Sequence, residues 1–245
     1  MGCSHCLEDA TPSGEHMSME LFERALRFTE RAERMVIQAN MPVMVMFSGG
    51  ECTDHPNIVE MVEMVTKRGW IVTLLTHGLW LDNVELRNKL LLDDVFVQVT
   101  NDDRYYPRKP PKFEHERVIY VDRLQVLSTL GRAASTNFDS KGLSQRAAPS
   151  SFNLRSLTRA TGSIASAIMA LRMRWMLGKS GFCTPSVSHD GTIVAGESRF
   201  CYPIGTVDST NEELTQAILA MGECNRCGQE AVLRSEYKQA IGIKT

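Results

Sequence analysis

The chain has 245 residues, of which 43% are apolar and 23% are charged, and its formal net charge is -2. A chain of this length can bury a substantial core, and the balanced charge offers no basic surplus for nucleic acid or an anionic membrane. No apolar run approaches the roughly 18 residues of a spanning helix, and the first residues do not form a signal peptide. We therefore expect a globular, cytoplasmic protein with no nucleic-acid or membrane partner.

Two of the seven cysteines stand at the beginning of the chain as a Cys-x-x-Cys pair, Cys3 and Cys6. In a reducing compartment such a pair favours metal or redox chemistry over a disulfide framework. A helix is predicted to begin after Ser18, a suitable N-cap residue. Its apolar face is predicted to contain Phe22, Ala25 and Leu26.

A strand is predicted at Val43–Phe47, where an apolar run leads into Ser48, Gly49, Gly50 and Glu51. Adjacent glycines let the backbone turn sharply and approach a ligand closely, and a carboxylate just beyond them can bind a cation. Cys52 follows this loop and is predicted to be a small buried residue.

A helix and a second strand complete a predicted βαβ unit that ends at Gly78. The helix is indicated by apolar residues at i, i+3, i+4 and i+7, namely Ile58, Met61, Val62 and Val65. The second strand is the apolar run Trp70–Leu75, which closes in Thr76, His77 and Gly78.

The alternation of helix and strand continues after Gly78. Residues 79–92 are predicted to form a helix or a pair of helices, and the apolar run Val95–Val99 is predicted to form a strand. In a parallel α/β barrel the ligand lies at the carboxyl ends of the strands. We therefore expect a group of polar residues to face the same pocket as Glu51, namely Thr76, His77, Thr100 and Asn101.

The middle of the chain gives weaker patterns. Val118–Val121 is predicted to form a further strand, and Leu124–Leu130 is a candidate for another. Arg132 is interpreted as a surface residue rather than a ligand of a substrate carboxylate. Residues 134–160 are polar and rich in serine, which is typical of a linker or a lid, and residues 164–177 are predicted to form a helix.

A second cysteine cluster lies near the end of the chain and consists of Cys183, Cys201, Cys224 and Cys227. Asp190-Gly191 stands between two β-prone segments, which predicts a hairpin between the first two cysteines. Thr210 and Glu213 have the spacing of a capping box, and the helix that they begin is predicted to end at Gly222. Four thiolates can also bind zinc, so the residues alone leave the metal open.

The first half of the chain resembles the cofactor site of radical S-adenosylmethionine (SAM) enzymes. The resemblance rests on a Gly-Gly-Glu loop at a strand end, a helix after His55-Pro56, and a next strand that closes in Thr76-x-Gly78. It implies that Gly49, Gly50 and Glu51 hold the amino group of the methionine moiety. It also implies a [4Fe-4S] cluster bound by a Cys-x3-Cys-x2-Cys motif, in which Cys3 and Cys6 fit the second and third cysteines.

The first cysteine of that motif would stand two positions before Met1, so the cluster-binding set is incomplete in this sequence. We therefore expect the natural protein to begin upstream, with that cysteine and an additional parallel strand. Without that strand, the strand at Val43–Phe47 would have an open edge whose backbone groups invite association.

The second cysteine cluster resembles the Twitch module, a shortened relative of SPASM. The resemblance rests on the pattern Cys-x12-Gly-x4-Cys followed by a helix and Cys-x2-Cys. It implies that all four cysteines bind one auxiliary [4Fe-4S] cluster.

Together the two resemblances imply an α/β fold: a partial TIM-like barrel over residues 1–180, lacking its first strand, and a hairpin-plus-helix module over residues 181–245. They imply reductive cleavage of SAM to a 5′-deoxyadenosyl radical, an electron donor such as flavodoxin or ferredoxin, and a peptide or protein side chain as the substrate. No catalytic residue is assigned. The alternatives are a noncatalytic iron-sulfur or zinc protein and a sugar- or phosphate-binding barrel with incidental cysteines.

Overall fold

Four parallel strands form the larger sheet of the computed structural model, which describes residues 6, 8–36, 43–101, 108–121, 158–159, 161–164, 166–167, 185–196 and 198–221. The strands are paired in chain order, so each lies beside the next one along the sequence. Their bounds are β1 Met44–Phe47, β2 Ile71–Thr76, β3 Val95–Thr100 and β4 Val118–Val121. The predicted α/β class and its parallel strands are confirmed.

Three helices accompany this sheet: α1 Met19–Val36, α2 Ile58–Thr66 and α3 Val84–Leu90. A 3₁₀ turn at Leu79–Asp82 precedes α3, so the segment after Gly78 is the predicted pair rather than one helix. The predicted apolar stripes of α1 and α2 are buried. They share one core with the inward residues of the strands, including Phe22, Leu26, Ile58, Met61, Val62, Val65, Val72, Leu74, Val95 and Val97.

The two faces of the larger sheet differ in burial. Residues such as Val72 and Val97 are buried on the helix-covered face, as alternation along a strand requires. The side chains of the opposite face point away from these helices, and several are large, apolar and exposed. They include Met46 at 55% and Ile119 at 60% exposure, together with Met44 and Phe96.

A smaller antiparallel sheet lies near the end of the chain, with strands β5 Ser186–Val187, β6 Thr192–Val194 and β7 Pro203–Thr206. The predicted Asp190-Gly191 hairpin is confirmed, because Gly191 adopts a left-handed φ of 85° and the Asp190 carboxylate accepts the Thr192 N–H at 2.9 Å. The sequence did not predict β7, since Pro203 and Gly205 both disfavour strands.

Helix α4, Asn211–Ala220, packs on the smaller sheet and begins with the predicted capping box. The Glu213 N–H donates to Thr210 Oγ1 at 3.1 Å, and the Thr210 N–H donates to Glu213 Oε2 at 2.7 Å. The helix ends with Met221 as its cap residue, directly before Gly222, which confirms the predicted end.

Helix α1 contacts both hydrophobic cores. Phe22 lies in the core of the larger sheet, whereas Phe28 packs against the core of the smaller one. Arg24 forms an ion pair with Asp208, and this pair lowers the pKa of the Asp208 carboxyl. The predicted division at residue 180 stays a prediction, and α1 contributes to the packing on both sides of it.

Several predictions concern residues outside the described ranges: the strand at 124–130, the role of Arg132, the linker at 134–160 and most of the helix at 164–177. The closure of the parallel sheet into a partial barrel also stays a prediction. Among the described helices, none is both long enough and apolar enough to span a bilayer.

Candidate functional site

The Gly-Gly-Glu loop follows β1 at the carboxyl edge of the parallel sheet. Gly49 has a φ of 130°, which favours glycine, and a Cβ placed there would meet no atom of the described residues within 4 Å. Gly49 and Gly50 are exposed, whereas the Glu51 side chain is only 3% exposed. The loop therefore presents its glycine backbone to solvent while its carboxylate is turned into the protein.

The Glu51 carboxylate accepts four hydrogen bonds from N–H and O–H donors and also lies close to the His77 ring. Its Oε1 atom accepts from the Thr53 N–H at 3.1 Å, from the Thr53 hydroxyl, and from the Thr76 hydroxyl at 2.7 Å. Its Oε2 atom accepts from the His77 N–H at 2.9 Å and lies 3.2 Å from His77 Nε2. A carboxylate offers about four lone-pair sites, so its acceptor capacity is used within the protein.

The hydrogen bonds of His77 assign its tautomer. Its Nδ1 atom lies 3.1 Å from the Leu79 backbone N–H, so Nδ1 is the acceptor and carries no proton. In the neutral ring Nε2, which lies 3.2 Å from Glu51 Oε2, is then the protonated nitrogen.

Thr76 connects Glu51 to the turn after β2. While its hydroxyl donates to Glu51, the same oxygen accepts the Gly78 N–H at 2.9 Å and the Trp80 Nε1–H at 3.1 Å. The threonine is 5% exposed and Trp80 is 8% exposed. One buried hydroxyl thus satisfies two donors and orients the carboxylate, and such a network is rigid when every member has a partner.

Cys52 is buried next to Glu51, as the sequence predicted. Burial, and secondarily the Glu51 carboxylate, raises the pKa of the Cys52 thiol well above its usual range. Its Sγ atom lies 3.4 Å from the Leu75 carbonyl oxygen, the acceptor of its S–H. These features favour a structural thiol over a metal-binding thiolate.

The segment that carries Cys6 packs on the Gly-Gly-Glu loop. The Ala10 N–H points at Cys6 Sγ, with a distance of 3.2 Å from nitrogen to sulfur. A Cβ placed on Gly50 would lie 2.8 Å from the Ala10 Cβ, which is too short for a contact between two non-bonded carbon atoms. Gly50 does not have a left-handed φ, so the close approach itself requires glycine.

The structure brings together five of the predicted site residues: Gly49, Gly50, Glu51, Thr76 and His77. Thr100 faces the opposite side of the sheet from Thr76. Thr76 pairs with Val99 of β3, and Thr100, the next residue of that strand, points to the other face. Asn101 follows it and donates its backbone N–H to the Val121 carbonyl at 2.9 Å.

Three residues of this site were not among the sequence predictions: Thr53, Trp80 and Ala10. Thr53 stands two residues after Glu51, a spacing at which a carboxylate can accept the backbone N–H of a turn. The contacts of Trp80 and Ala10 depend on chain segments that meet only in the fold, and no local pattern marks them.

Most of the predicted metal-binding cysteines, Cys3, Cys183, Cys224 and Cys227, lie outside the described residues. Cys201 is described and ends a turn in which its N–H donates to the Ser198 carbonyl at 2.8 Å. Within the described ranges, no group of three or more His, Cys, Asp or Glu residues is arranged to hold a metal ion. The four-cysteine site therefore stays a prediction.

Comparison with known proteins adds no family to these observations. No protein-family model matches the chain, and no curated protein gives a match. The site is therefore interpreted from its own geometry and chemistry.

Proposed function

We propose that this protein is a radical SAM enzyme with an auxiliary iron-sulfur cluster. The observation that carries the proposal is the packing of the Cys6 segment on the Gly-Gly-Glu loop through Ala10 and Gly50. A cysteine segment and a glycine loop that serve one cofactor must lie side by side, and these two do so at the carboxyl edge of a parallel sheet.

The residues present fit such a cofactor. The backbone N–H of Ala10 points at the sulfur of Cys6, and hydrogen bonds of this kind stabilise cluster-ligating thiolates and tune cluster potentials. The loop beside it has exposed backbone at Gly49, and no atom of the described part of the chain lies within 4 Å of an ideal Cβ there. Cys3 and Cys6 would contribute to the SAM-binding [4Fe-4S] cluster, and the bound pair would supply one-electron chemistry that leads to hydrogen abstraction from a substrate.

Within this proposal Glu51 positions the loop. Its carboxylate is held by Thr53, Thr76 and His77, so it anchors the loop to the end of β2. The polar groups of the methionine moiety would then meet the exposed backbone of Gly49 and Gly50. In this proposal Glu51 anchors the loop and does not bind the methionine ammonium directly, because the acceptor sites of its carboxylate are already used within the protein.

The proposed partial barrel gives the exposed face of the sheet a role. In a partial barrel this face would line the interior next to the cofactor, where a substrate binds. Its positions on the four strands carry no charged side chain. They are Met44, Met46, Ile71, Thr73, Leu75, Phe96, Gln98, Thr100, Ile119 and Val121. An uncharged, partly apolar group, such as an apolar side chain of a peptide, suits this surface better than a phosphate does.

Anaerobic reconstitution tests the proposal. The full chain is reconstituted with ferrous iron and sulfide, iron and acid-labile sulfide are counted per chain, and the reduced protein is incubated with SAM. We expect bound clusters and release of 5′-deoxyadenosine, with loss of that product in Cys6→Ser. Clusters without SAM cleavage would favour a noncatalytic iron-sulfur protein, and retention of zinc instead of iron would favour a structural zinc site.

Gly50→Ala tests the packing that carries the proposal. The added methyl group would overlap Ala10, and overpacking of this kind costs about 1–3 kcal/mol. We expect the overlap to displace the two segments at the proposed cofactor site and to weaken SAM binding by the reconstituted protein about tenfold. A tenfold change in affinity corresponds to about 1.4 kcal/mol of binding free energy. Isothermal titration calorimetry measures this affinity, and thermal unfolding measures the loss of stability.

The double variant Gly50→Ala/Ala10→Gly is the matched control, because it moves the methyl group from one side of the contact to the other. We expect it to recover most of the lost affinity, while Ala10→Gly alone stays near the wild type. Equal binding by wild type and Gly50→Ala would contradict a cofactor site at this contact.

A further inference from the structure

The Cys6 segment makes a second contact, with the turn that carries Cys201. The Glu8 carboxylate accepts the Arg199 backbone N–H, with a distance of 3.1 Å between Oε2 and the nitrogen. Glu8 stands two residues after Cys6, and Arg199 stands two residues before Cys201. One hydrogen bond therefore joins two cysteine-bearing segments that are far apart in the sequence.

The turn that ends at Cys201 is ordered by its own hydrogen bonds. Ser198 is 1% exposed, and its carbonyl accepts the Cys201 N–H at 2.8 Å. The Ser198 hydroxyl also accepts the Phe200 N–H at 3.3 Å. Because these bonds make the turn a fixed unit, a restraint on the Arg199 amide is transmitted to the position of Cys201.

Neighbouring contacts hold the same two parts of the chain together. Leu21 packs against Gly191, where an added Cβ would lie 2.8 Å from the leucine Cδ1. The Arg31 guanidinium donates to the Val207 carbonyl at 2.8 Å. Glu8 thus acts within a wider interface between the amino-terminal segment and the antiparallel sheet, and of these three contacts it lies nearest to both cysteines in the sequence.

We infer that Glu8 is a positioning residue that couples the Cys6 segment to the Cys201 turn. Three contacts meet on this short segment: Ala10 packs on Gly50, the Ala10 N–H points at Cys6, and Glu8 accepts the Arg199 N–H. A metal held by Cys201 would fix its turn, and through Glu8 it would also order the segment that packs on the Gly-Gly-Glu loop. The metals in this inference rest on the proposed function, whereas the Glu8 contact does not.

Hydrogen exchange measured by mass spectrometry tests the contact in the protein without added metal. Glu8→Ala removes the acceptor, and we expect about tenfold faster exchange at residues 6–10 and 198–201, the scale of a lost charge-assisted hydrogen bond. Glu8→Gln keeps an oxygen acceptor and should retain most of the protection. Glu60→Ala is the control, because it makes the same change at an exposed position of α2.

A double-mutant comparison then tests the coupling in protein reconstituted with iron and sulfide. Cys201→Ser should speed exchange at residues 6–10 in the wild-type background and should have no further effect there in Glu8→Ala. Equal effects of Cys201→Ser in the two backgrounds, or unchanged exchange in Glu8→Ala, would overturn the inference. A wild-type chain that retains no iron would contradict the proposed function instead, while the metal-free experiment would still decide the role of Glu8.

Discussion

Replacement of Thr76 by valine is expected to lower the free energy of unfolding by about 2–4 kcal/mol, since each buried donor left unsatisfied costs about 1–3 kcal/mol. Valine has nearly the shape of threonine but lacks the oxygen that accepts the Gly78 N–H and the Trp80 Nε1–H. Both donors would stay buried without this partner, and Glu51 would lose one of its four hydrogen bonds from N–H and O–H donors. Urea denaturation followed by circular dichroism measures the change.

Thr73→Val is the matched control for this prediction, because it makes the same chemical change on the same strand. Thr73 lies on the opposite face of β2, between Met46 and Phe96, and is only partly buried. A surface substitution of this kind usually changes stability by less than about 0.5 kcal/mol. Equal stabilities of Thr76→Val and Thr73→Val would show that the Thr76 hydroxyl contributes little to the fold.

Glu51→Gln is expected to lower the free energy of unfolding by about 2–3 kcal/mol even without SAM, because buried hydrogen bonds to a charged group are lost. Glutamine replaces one carboxylate oxygen by an NH₂ group, which donates and cannot accept. At the Oε1 position this group would face the Thr53 N–H, and at the Oε2 position it would face the His77 N–H. Either orientation places an NH₂ group against a backbone N–H.

The same variant separates two roles of the Glu51 carboxylate. If Glu51 anchors the loop, Glu51→Gln lowers the stability of the protein. Binding of the proposed cofactor SAM by the reconstituted protein is then expected to weaken about tenfold, which corresponds to about 1.4 kcal/mol. Wild-type stability combined with weakened binding would instead indicate that the carboxylate contacts the ligand directly. Glu60→Gln on the exposed face of α2 is the control and should change neither quantity.

Local sequence patterns predicted an element well where a single hydrophobic period or a single helix cap determines its type and its beginning. The stripe from Ile58 to Val65 predicted α2, and the spacing of Thr210 and Glu213 predicted the beginning of α4. The strand β7 was missed, because Pro203 and Gly205 are tolerated there by pairing with β6. Pairing of this kind depends on a distant segment, so propensity along the strand does not reveal it.

The candidate site was predicted by residue type and position, but not by orientation. A glycine pair and a carboxylate after a buried strand indicated where a ligand can approach. The face to which Thr76 and Thr100 belong, however, depends on the register of β2 and β3, since a shift of one residue exchanges the two faces. The structure separates these two threonines, although their positions in the sequence are equivalent.

By itself the sequence determined the parallel α/β arrangement, the glycine loop after β1 and the hairpin at Asp190-Gly191, because these features follow from hydrophobic period and turn chemistry within a few residues. Only the tertiary structure decided that Glu51 faces inward, that Gly50 accommodates Ala10, and that Glu8 holds the Arg199 amide. Each of these contacts joins segments that lie far apart in the chain. Their partners are selected by strand register and helix packing, and no local pattern encodes that choice.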